Sequence, residues 1–444
     1  MKVLIVDMTH GGIKIALEFL KKDLDKVYAY DIYKTLKKED INVLTKKGLI
    51  FVDKIPDEED LLVVAPVHST VEEKNQITHH EAVKLLLSTR IKVPVIEVTG
   101  VKGKTSVVWM LKEIFKEQNP LVLSSLGIEA LIDGKTHLLV NNISITPANI
   151  IKACKLAENF EIGIFILETS LGGTGLADVG ILTNLAEDYS IASGTKTASM
   201  AKSQIFNSKM VACDYDAFKS KYSRFSQKTI TFGYKDDLTK VDVGASNVNF
   251  GLDNTHFKAV INNLKTINGR LLNTEFDVST FAPAEHHLNN VLSAVCASLI
   301  LEVPIKTIQR GLKNYRGIKG RTSIKKIGKI TIIEEINPGI NVKAVEKSFE
   351  MISPYKDCAV ILGGRYGITC EEINEEMAAD FLDNTPKNIK LILTDDLGRS
   401  IKSKINRNAE YHRNIDDALE SAMASGSKTI LLIYRSNFAD INMR

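Results

Sequence analysis

The sequence has no apolar run that approaches the ~18 consecutive residues of a membrane-spanning helix, which excludes a membrane-spanning protein. With only 27 glycines and 10 prolines in 444 residues, it also excludes collagen-like and low-complexity architectures. The amino-terminal segment lacks the hydrophobic region of a signal peptide and reaches an acidic residue at Asp7. These absences predict a cytoplasmic protein with no membrane partner.

The sequence also has few cysteines and a small net charge. The five cysteines are odd in number and include no CxxC pair, which argues against a disulfide framework or a structural zinc site. Lys and Arg (57) nearly balance Asp and Glu (54), so a net charge of +3 is too small for a dedicated nucleic-acid binder. We expect the cysteines to be small buried hydrophobes: Cys154, Cys213, Cys296, Cys358 and Cys370.

Strand and helix patterns alternate along the chain, which predicts an α/β fold of parallel sheets covered on both faces. At roughly 150 residues per domain, the length suggests about three domains. Composition and pattern breaks near Lys92 and Lys319 predict three of them, at 1–92, 93–318 and 319–444. A patch near 233–280, rich in Asn, Asp and Thr, has the character of an insertion. In the third domain, strands are expected at 330–333, 358–362, 389–393 and 429–434.

The first 92 residues have the pattern of a Rossmann-like domain. Apolar runs at 3–6 and 27–30 enclose a turn with Gly11-Gly12 and a helical pattern, and the second run ends at Asp31. The full GxGxxG motif is lacking, so the pattern indicates the fold more than a bound nucleotide. Gly11 and Gly12 equally fit a tight turn without any ligand.

A short glycine-lysine loop follows an apolar strand at 95–98 and precedes a helical pattern, which is the context of a phosphate-binding loop. Its spacing is shorter than GxxxxGK[ST], and a simple glycine turn with a solvated lysine is the alternative. As a phosphate loop it would bind ATP, with Lys104 on the β- and γ-phosphates and Thr105 or Ser106 helping to hold Mg²⁺. The loop residues are Gly100, Val101, Lys102, Gly103, Lys104, Thr105 and Ser106.

The loop TGxxGKTS resembles that of the Mur ligase superfamily, and further motifs follow in the same order. Residues 145–147 (ITP) are similar to the family's TTP motif, and 165–170 (FILETS) to its strand-borne Glu-x-Ser. The resemblance implies that Glu168 binds Mg²⁺ and that Lys202 is carbamylated as a further metal ligand. An ordinary surface lysine is the alternative for Lys202. Directly after the TNxxxD stretch that ends at Asp188, Tyr189 stands where the family has a histidine. Whether a second metal binds there is therefore open.

Motifs in the second half extend the resemblance. Residues 286–290 (HHLNN) are similar to the family's HNxxN, which implies an adenine contact for Asn290. The resemblance likewise implies a phosphate contact for Arg321 and a ribose contact for Glu335, and residues 362–364 match the LGG turn. A three-domain ATP-dependent ligase is implied, in which a substrate carboxylate becomes an acyl phosphate that a nucleophile then attacks. Phosphate loop, metal-binding carboxylate and basic residues are what such phosphoryl transfer requires.

Histidines are concentrated in the loops of the first domain, which in this superfamily recognises the substrate. Four of the nine lie there, and imidazole serves as a base, donor or ligand near neutral pH, although single histidines are more often structural. We expect them to line the substrate site, with one acting as base: His10, His68, His79 and His80.

The substrate class is suggested by local motifs at 7–12 (DMTHGG), 31–33, 65–68 (APVH) and 337–341. They resemble the archaeal branch of the superfamily that completes the nickel tetrapyrrole coenzyme F(430). That resemblance implies a small-molecule polycarboxylate as substrate and closure of a carbocyclic ring by a carbon nucleophile. Two alternatives stay open: a pseudomurein peptide ligase that forms an amide on a UDP-linked peptide, and a nucleotide-binding protein without ligase activity. The oligomeric state is open as well.

Overall fold

Three large β-sheets and the helices that cover them form the computed structural model, which describes residues 1–186, 188–235, 237–318, 322–337, 339–367 and 372–436. Among these residues, no helix combines the length and the apolar character needed to cross a membrane. Four of the cysteines are free and buried, as the sequence predicts: Cys154, Cys213, Cys296 and Cys358. Cys370 lies outside the described residues.

The first sheet has five parallel strands in the order β3-β2-β1-β4-β5. The chain leaves β1 towards one side and later returns to its other side, so β1 and β4 flank a topological switch point, where open α/β sheets bind ligands. The Rossmann-like prediction is confirmed. The strands are β1 (Lys2–Val6), β2 (Lys26–Tyr30), β3 (Ile50–Phe51), β4 (Leu61–Ala65) and β5 (Gln76–Thr78); the helices are α1 (Ile13–Phe19), α2 (Lys38–Lys46) and α3 (His79–Leu87), and a π-helical turn spans Met8–Gly12.

The second sheet has eleven strands, and its central members pair in parallel. They are β6 (Val95–Thr99), β7 (Pro120–Ser124), β8 (Gly127–Ile132), β9 (Lys135–Asn141), β10 (Ile164–Glu168), β11 (Val179–Leu182), β14 (Met210–Asp214), β15 (Thr229–Phe232), β16 (Val243–Asn249), β17 (Thr255–Lys265) and β18 (Leu271–Thr280), with a separate two-stranded ribbon of β12 (Ser190–Ile191) and β13 (Lys196–Thr197). The helices are α4 (Lys104–Ile114), α5 (Pro147–Ala157), α6 (Ala198–Lys202), α7 (Tyr215–Ala217), α8 (Glu285–Ile300) and α9 (Ile305–Asn314). The region near 233–280 is therefore no mere insertion, because its strands extend this sheet.

The third sheet has six strands in the order β19-β20-β24-β21-β22-β23. All four strands expected from the sequence are found, each within three residues of the predicted ends. The strands are β19 (Thr322–Ile327), β20 (Ile330–Ile336), β21 (Cys358–Gly364), β22 (Lys390–Thr394), β23 (Glu410–His412) and β24 (Thr429–Arg435); the helices are α10 (Val342–Ile352), α11 (Glu375–Asp383), α12 (Asp395–Lys402) and α13 (Ile415–Ala424).

The prediction of parallel pairing throughout is wrong at two sheet edges. Strands β7, β8 and β9 pair antiparallel, and so do β19 and β20. Each of these connections has only two residues, which suits a hairpin, whereas a parallel crossover needs a dozen or more. At one of them, Asp133 and Gly134 both adopt positive φ (48° and 77°), the conformation of a type I′ turn.

The first two sheets share one hydrophobic core. Val3 and Ile5 of the first sheet belong to the same buried cluster as Leu121, Leu123 and Leu167 of the second, with α1, α3 and α5 packed between them. The described chain forms two compact units. The first comprises Met1–Asn247, Phe257–Val278 and Asn289–Lys313, and the second Val248–His256, Ser279–Leu288 and Asn314–Arg444. The domain boundaries near 92 and 319 stay a prediction.

Candidate functional site

The phosphate-type loop lies between β6 and α4, as the sequence predicts, and its two glycines are required by space. Gly100 and Gly103 adopt positive φ of 141° and 85°. A Cβ at Gly100 would lie 2.0 Å from Thr183 Oγ1, and one at Gly103 would lie 2.2 Å from Asn290 Oδ1. No side chain fits at either position, because the loop backbone packs directly against Thr183 and Asn290.

Neighbouring side chains hold the loop in shape. Asn184 Oδ1 accepts a hydrogen bond from the Lys102 amide at 3.2 Å, and Asn184 Nδ2 donates to the Lys102 carbonyl at 3.0 Å. Thr183 Oγ1 donates to the same carbonyl at 2.6 Å. The Thr-Asn pair of the TNxxxD stretch therefore supports the loop from β11, which is the strand next to β6.

Lys104 begins α4 and extends over the loop. Its Nζ donates to the carbonyls of Gly100 (3.2 Å) and Val101 (3.3 Å). The first amides of the eleven-residue helix α4 have no partner within the helix, and its dipole favours negative charge at this end. Loop, helix end and amine thus form the cradle that a nucleotide's phosphates require.

Beside this cradle, a hydroxyl and a carboxylate meet in the interior. Thr105 Oγ1 lies 3.1 Å from both carboxylate oxygens of Glu168, and the Ser125 amide donates to Glu168 Oε2 at 3.1 Å. Parallel pairing of β10 with β6 brings the end of each strand to the same edge. Hydroxyl and carboxylate oxygens are the ligands that Mg²⁺ prefers, so these residues fit a magnesium ion. Ser106 is half-buried on the same helical turn.

Lys202 lies at the end of α6 and is almost completely buried, with 2% of its surface exposed. Burial, together with repulsion from Lys104, lowers the pKa of Lys202 to about 7, although Asp188 acts in the opposite direction. Asp188 itself is held by the Ser199 amide (2.8 Å) and hydroxyl (2.7 Å). With a pKa of about 7, roughly half of the Lys202 amine is neutral at pH 7, and the neutral amine is the form that reacts with CO₂, so the environment suits the carbamate.

The remaining nucleotide-contact candidates are distributed over both units. Asn290 is buried and borders Gly103 in the first unit. Glu335 lies on β20 in the second unit, where desolvation raises its pKa to about 7, and Glu335 Oε1 has no hydrogen-bond partner among the described residues. In the same unit, His287 Nε2 is buried 3.1 Å from Thr322 Oγ1, and burial holds the His287 pKa well below its usual value. Arg321 lies outside the described residues.

A second constellation lies at the switch point of the first sheet. Asp7 follows β1 and is fully buried. His10 Nδ1 lies 2.6 Å from Asp7 Oδ2, and His68 Nε2, from the loop after β4, lies 3.6 Å from the same oxygen. Burial opposes ionisation of Asp7, but the imidazoles of His68 and His10 outweigh it and lower its pKa to about 2. Sequence reasoning named the histidines and missed Asp7, although its place at the end of β1 was a usable signal.

His79 and His80 do not join this constellation, because they begin α3 inside the protein. His79 Nε2 lies 2.9 Å from the Val6 carbonyl and His80 Nε2 lies 3.0 Å from the Ser170 carbonyl. Burial lowers both imidazole pKa values to about 4, so both rings are neutral. Of the four histidines expected to line the substrate site, the structure brings His10 and His68 together at an accessible edge and buries His79 and His80.

Glu97 is a further ionisable residue that sequence reasoning missed. It is fully buried on β6, where its carboxylate accepts hydrogen bonds from the Thr174 hydroxyl and, at 2.9 Å, from the Thr174 amide. Desolvation raises the pKa of Glu97 to about 7 despite these bonds. Glu97 thereby anchors the glycine-rich segment 172–175, which follows the strand that carries Glu168.

Comparisons with known proteins find similar sequences along most of the chain. A family model described as the Mur ligase middle domain matches residues 98–298, and one described as the C-terminal domain of coenzyme F430 synthetase CfbE matches residues 324–437. A protein of Methanosarcina acetivorans named coenzyme F(430) synthetase is 28% identical over 97% of both chains. One of the same name from Methanocaldococcus jannaschii is 27% identical over 91% of this chain and 93% of that one.

A similar fold is found among solved structures. The structure of a UDP-N-acetylmuramoyl-L-alanyl-D-glutamate–2,6-diaminopimelate ligase superposes with a TM-score of 0.62 at 14% identity. The match covers 93% of this chain and 88% of that chain. Likeness of sequence and of fold therefore extends over nearly the whole chain.

Proposed function

We propose that the chain, an ATP-dependent ligase similar over most of its length to proteins of the Mur ligase superfamily, acts on a nickel tetrapyrrole. ATP would activate a propionate side chain of the precursor seco-F(430) as an acyl phosphate, with release of ADP. A carbon nucleophile of the same macrocycle then attacks the acyl carbon, loses a proton, and displaces phosphate to close the carbocyclic ring.

The observation that carries this proposal is the similarity to two proteins named coenzyme F(430) synthetase, which extends over 91–97% of the chain. It includes the first domain, where members of the superfamily recognise their substrates. The family model that matches residues 324–437 supports the same substrate from the other end of the chain. The first sheet adds an independent feature, because its switch point carries two imidazoles instead of the longer glycine-rich loop that would suit a UDP diphosphate.

ATP binding is assigned to the loop between β6 and α4. The loop amides and Lys104 would hold the phosphates, while Asn290, which borders Gly103, would contact the base. Arg321 and Glu335 are proposed to contact phosphate and ribose. When bound, Mg²⁺ neutralises phosphate charge, and Thr105 and Glu168 would hold it, with carbamylated Lys202 as a further ligand. Clustering positive charge at the phosphates stabilises the charge that develops during transfer.

Proton removal from the carbon nucleophile is assigned to the histidines of the first sheet. With Asp7 ionised, His10 donates from Nδ1 to the carboxylate and keeps the lone pair of Nε2 for a proton. Just under half of the His10 side chain is exposed, so a substrate can reach it. His68 lies beside it with the rings 5.1 Å apart in an edge-on arrangement.

Product mass tests the proposal directly. The purified chain is incubated with ATP, Mg²⁺ and either seco-F(430) or a UDP-linked peptide with an amino acid. Ring closure predicts a product lighter than seco-F(430) by one water, together with stoichiometric ADP. Amide formation on the UDP-linked peptide would instead identify a peptide ligase. Nucleotide binding without phosphate release from either mixture would contradict ligase activity on both substrates.

A further inference from the structure

Three potential metal ligands converge at the carboxyl edge of the first sheet. Asp7 follows β1, His10 lies in the adjoining π-helical turn, and His68 follows β4, which is paired with β1. One ligand atom from each residue lies within 4.8 Å of the other two. Two loops that are distant in sequence thus direct their side chains to one point, at the place where this topology binds ligands.

The Asp7 carboxylate is held in position before any ligand arrives. Asp7 Oδ1 accepts hydrogen bonds from the amides of Thr9 (2.9 Å) and His10 (3.1 Å). Asp7 also adopts a φ of 70°, which is uncommon for a residue with a side chain. Both features fix the direction of Oδ2 towards the two imidazoles. Such supporting hydrogen bonds are typical of carboxylates that bind metals.

Among the described residues, the Asp7 carboxylate has no permanent counter-ion. It is fully buried, and its ion-pair partners among these residues are the two imidazoles, with no lysine or arginine. A buried carboxylate without a cation is costly, because burial removes the water that would stabilise it. A cation bound at Oδ2 would add a full positive charge beside a carboxylate that imidazole and amide hydrogen bonds already stabilise.

A simple Asp-His pair is the competing interpretation, in which Asp7 only orients His10. It explains the 2.6 Å contact but leaves the second imidazole without a role, since one ring is enough for such a pair. His68 Nε2 is directed at the same carboxylate oxygen from a different loop, at 3.6 Å, which is longer than a hydrogen bond. Two imidazoles and one carboxylate around a common point are instead a known ligand set for transition metals.

We propose that Asp7, His10 and His68 bind a divalent transition-metal cation, with Zn²⁺ or Co²⁺ as suitable probes. Three protein ligands leave at least one coordination position open. His10 and His68 are 48% and 27% exposed, so that position is accessible from solvent. This ion would be separate from the Mg²⁺ of the phosphate loop. With it bound, His10 and His68 would be ligands, so the proton of the carbon nucleophile would pass to another base.

A use for the open position follows from the proposed function and rests on it. The proposed substrate is a polycarboxylate, and a carboxylate oxygen is a common ligand for such a cation. The ion would thus anchor one substrate carboxylate at the edge of the first sheet and orient the macrocycle. Metal binding itself requires no tetrapyrrole and can be measured without one.

The experiment uses the full-length protein, freed of metal by a chelator and titrated with Co²⁺ in excess Mg²⁺, which occupies the phosphate-loop site. We expect one Co²⁺ per chain with visible absorption bands, and competition by Zn²⁺. His10→Ala and His68→Ala should each weaken binding 10- to 100-fold. Asp7→Asn should weaken metal binding similarly, although its amide oxygen can still accept the backbone hydrogen bonds. Circular dichroism would verify that this variant is folded. His137→Ala, at an exposed histidine of β9, is the matched control and should bind normally.

Two outcomes would overturn the inference: no Co²⁺ or Zn²⁺ binding by the wild-type protein, or unchanged binding by the His10→Ala/His68→Ala double variant. Ring closure is then assayed separately with Mg²⁺, both by the metal-free protein and by protein loaded with Co²⁺ or Zn²⁺. Full ring closure without Co²⁺ or Zn²⁺ binding would leave the proposed function intact and favour the simple Asp-His pair. Metal binding without ring closure would leave the site intact and contradict the substrate.

Discussion

Gly103 and Asn290 are in such close contact that the α-hydrogen face of the glycine packs directly on the asparagine amide. A Cβ at Gly103 would lie 2.2 Å from Oδ1 and 2.8 Å from Cγ of Asn290. The loop proposed to bind phosphates and the side chain proposed to contact the base therefore depend on each other's position. A shift of either one would displace both ends of a bound nucleotide.

Replacing Gly103 by Ala should therefore weaken ATP binding at least about tenfold, because the loop or Asn290 must move. Isothermal titration with ADP would measure this effect. Gly134→Ala is the matched control: Gly134 also has positive φ (77°), but no atom lies within 4 Å of its Cβ position. Both variants should show similar backbone strain, of about 1 kcal/mol, and only Gly103→Ala should lose nucleotide. Equal affinities would argue against the close-contact explanation.

Lys104→Ala should lower ATP-dependent ADP release at least about 100-fold, since the loop would lose the amine that stabilises transferred phosphate charge. A coupled assay of ADP release measures the loss, and the exposed Lys135→Ala on β9 should stay within twofold of wild type. Normal ADP production by Lys104→Ala would show that this loop is not the catalytic one.

The Lys202 carbamate should form at a much lower pH than for an ordinary lysine. Because burial lowers the Lys202 pKa to about 7, the reactive neutral amine becomes dominant above that pH and not only near 10.5. At fixed CO₂ pressure, ¹³C NMR should show a carbamate signal that rises through pH 7. Lys202→Met should lack the signal. A wild-type spectrum with no carbamate at pH 8 would contradict this role of Lys202.

Glu97→Gln should make the protein less sensitive to alkaline pH. The folded-state pKa of Glu97 is raised to about 7 from 4.5, so the folded protein binds the proton more tightly than the unfolded chain. The stability that wild type gains from this proton is fully present below pH 4.5 and is lost as pH rises through 7, by up to about 3 kcal/mol. The free energy of unfolding in urea is measured at pH 5 and at pH 8. Its decrease between these two pH values should be smaller for Glu97→Gln than for wild type. A parallel pH dependence of the two proteins would exclude Glu97 as its source.

His79→Ala and His80→Ala should destabilise the fold by about 2 kcal/mol each, since each removes a buried hydrogen bond and leaves a cavity. Their activity per folded molecule should stay near wild type. His10→Ala should have the opposite profile, with a small change in unfolding free energy and a large loss of ring closure. Thermal unfolding and single-turnover assays on the same preparations distinguish the two classes. Loss of ring closure in a fully folded His80→Ala would contradict its structural role.

The parts of the site that the sequence predicted well depend on local geometry. Gly100 to Ser106 lie where a strand meets a helix, and Glu168 ends a neighbouring parallel strand, so topology alone brings them together. The four histidines are different, because their loops share an edge but their ring directions depend on packing. His79 and His80 belong to the first turn of α3, which packs against α1 and α5 and contacts Ser170 after β10, while His10 and His68 stay accessible.

Other features depend on tertiary structure that no local pattern reports. Glu97 is buried because β6 lies in the interior of the second sheet, with β10 on one side and β11 on the other. The role of Asp7 depends on the pairing of β1 with β4, which brings His68 from about sixty residues away. The antiparallel edges could have been predicted, since the two-residue connections, including Asp133-Gly134, are visible in the sequence.

The continuous core of the first two sheets has a consequence for protein engineering. The apolar faces of α3 and α5 cover each other across the predicted boundary near Lys92. A chimera that exchanged residues 1–92 for the equivalent part of another ligase would leave α5 residues such as Ile150 and Cys154 against a foreign surface. Exchanging residues 1–92 alone should therefore not transfer substrate preference. The residues of α5 that face α3 would have to be exchanged as well.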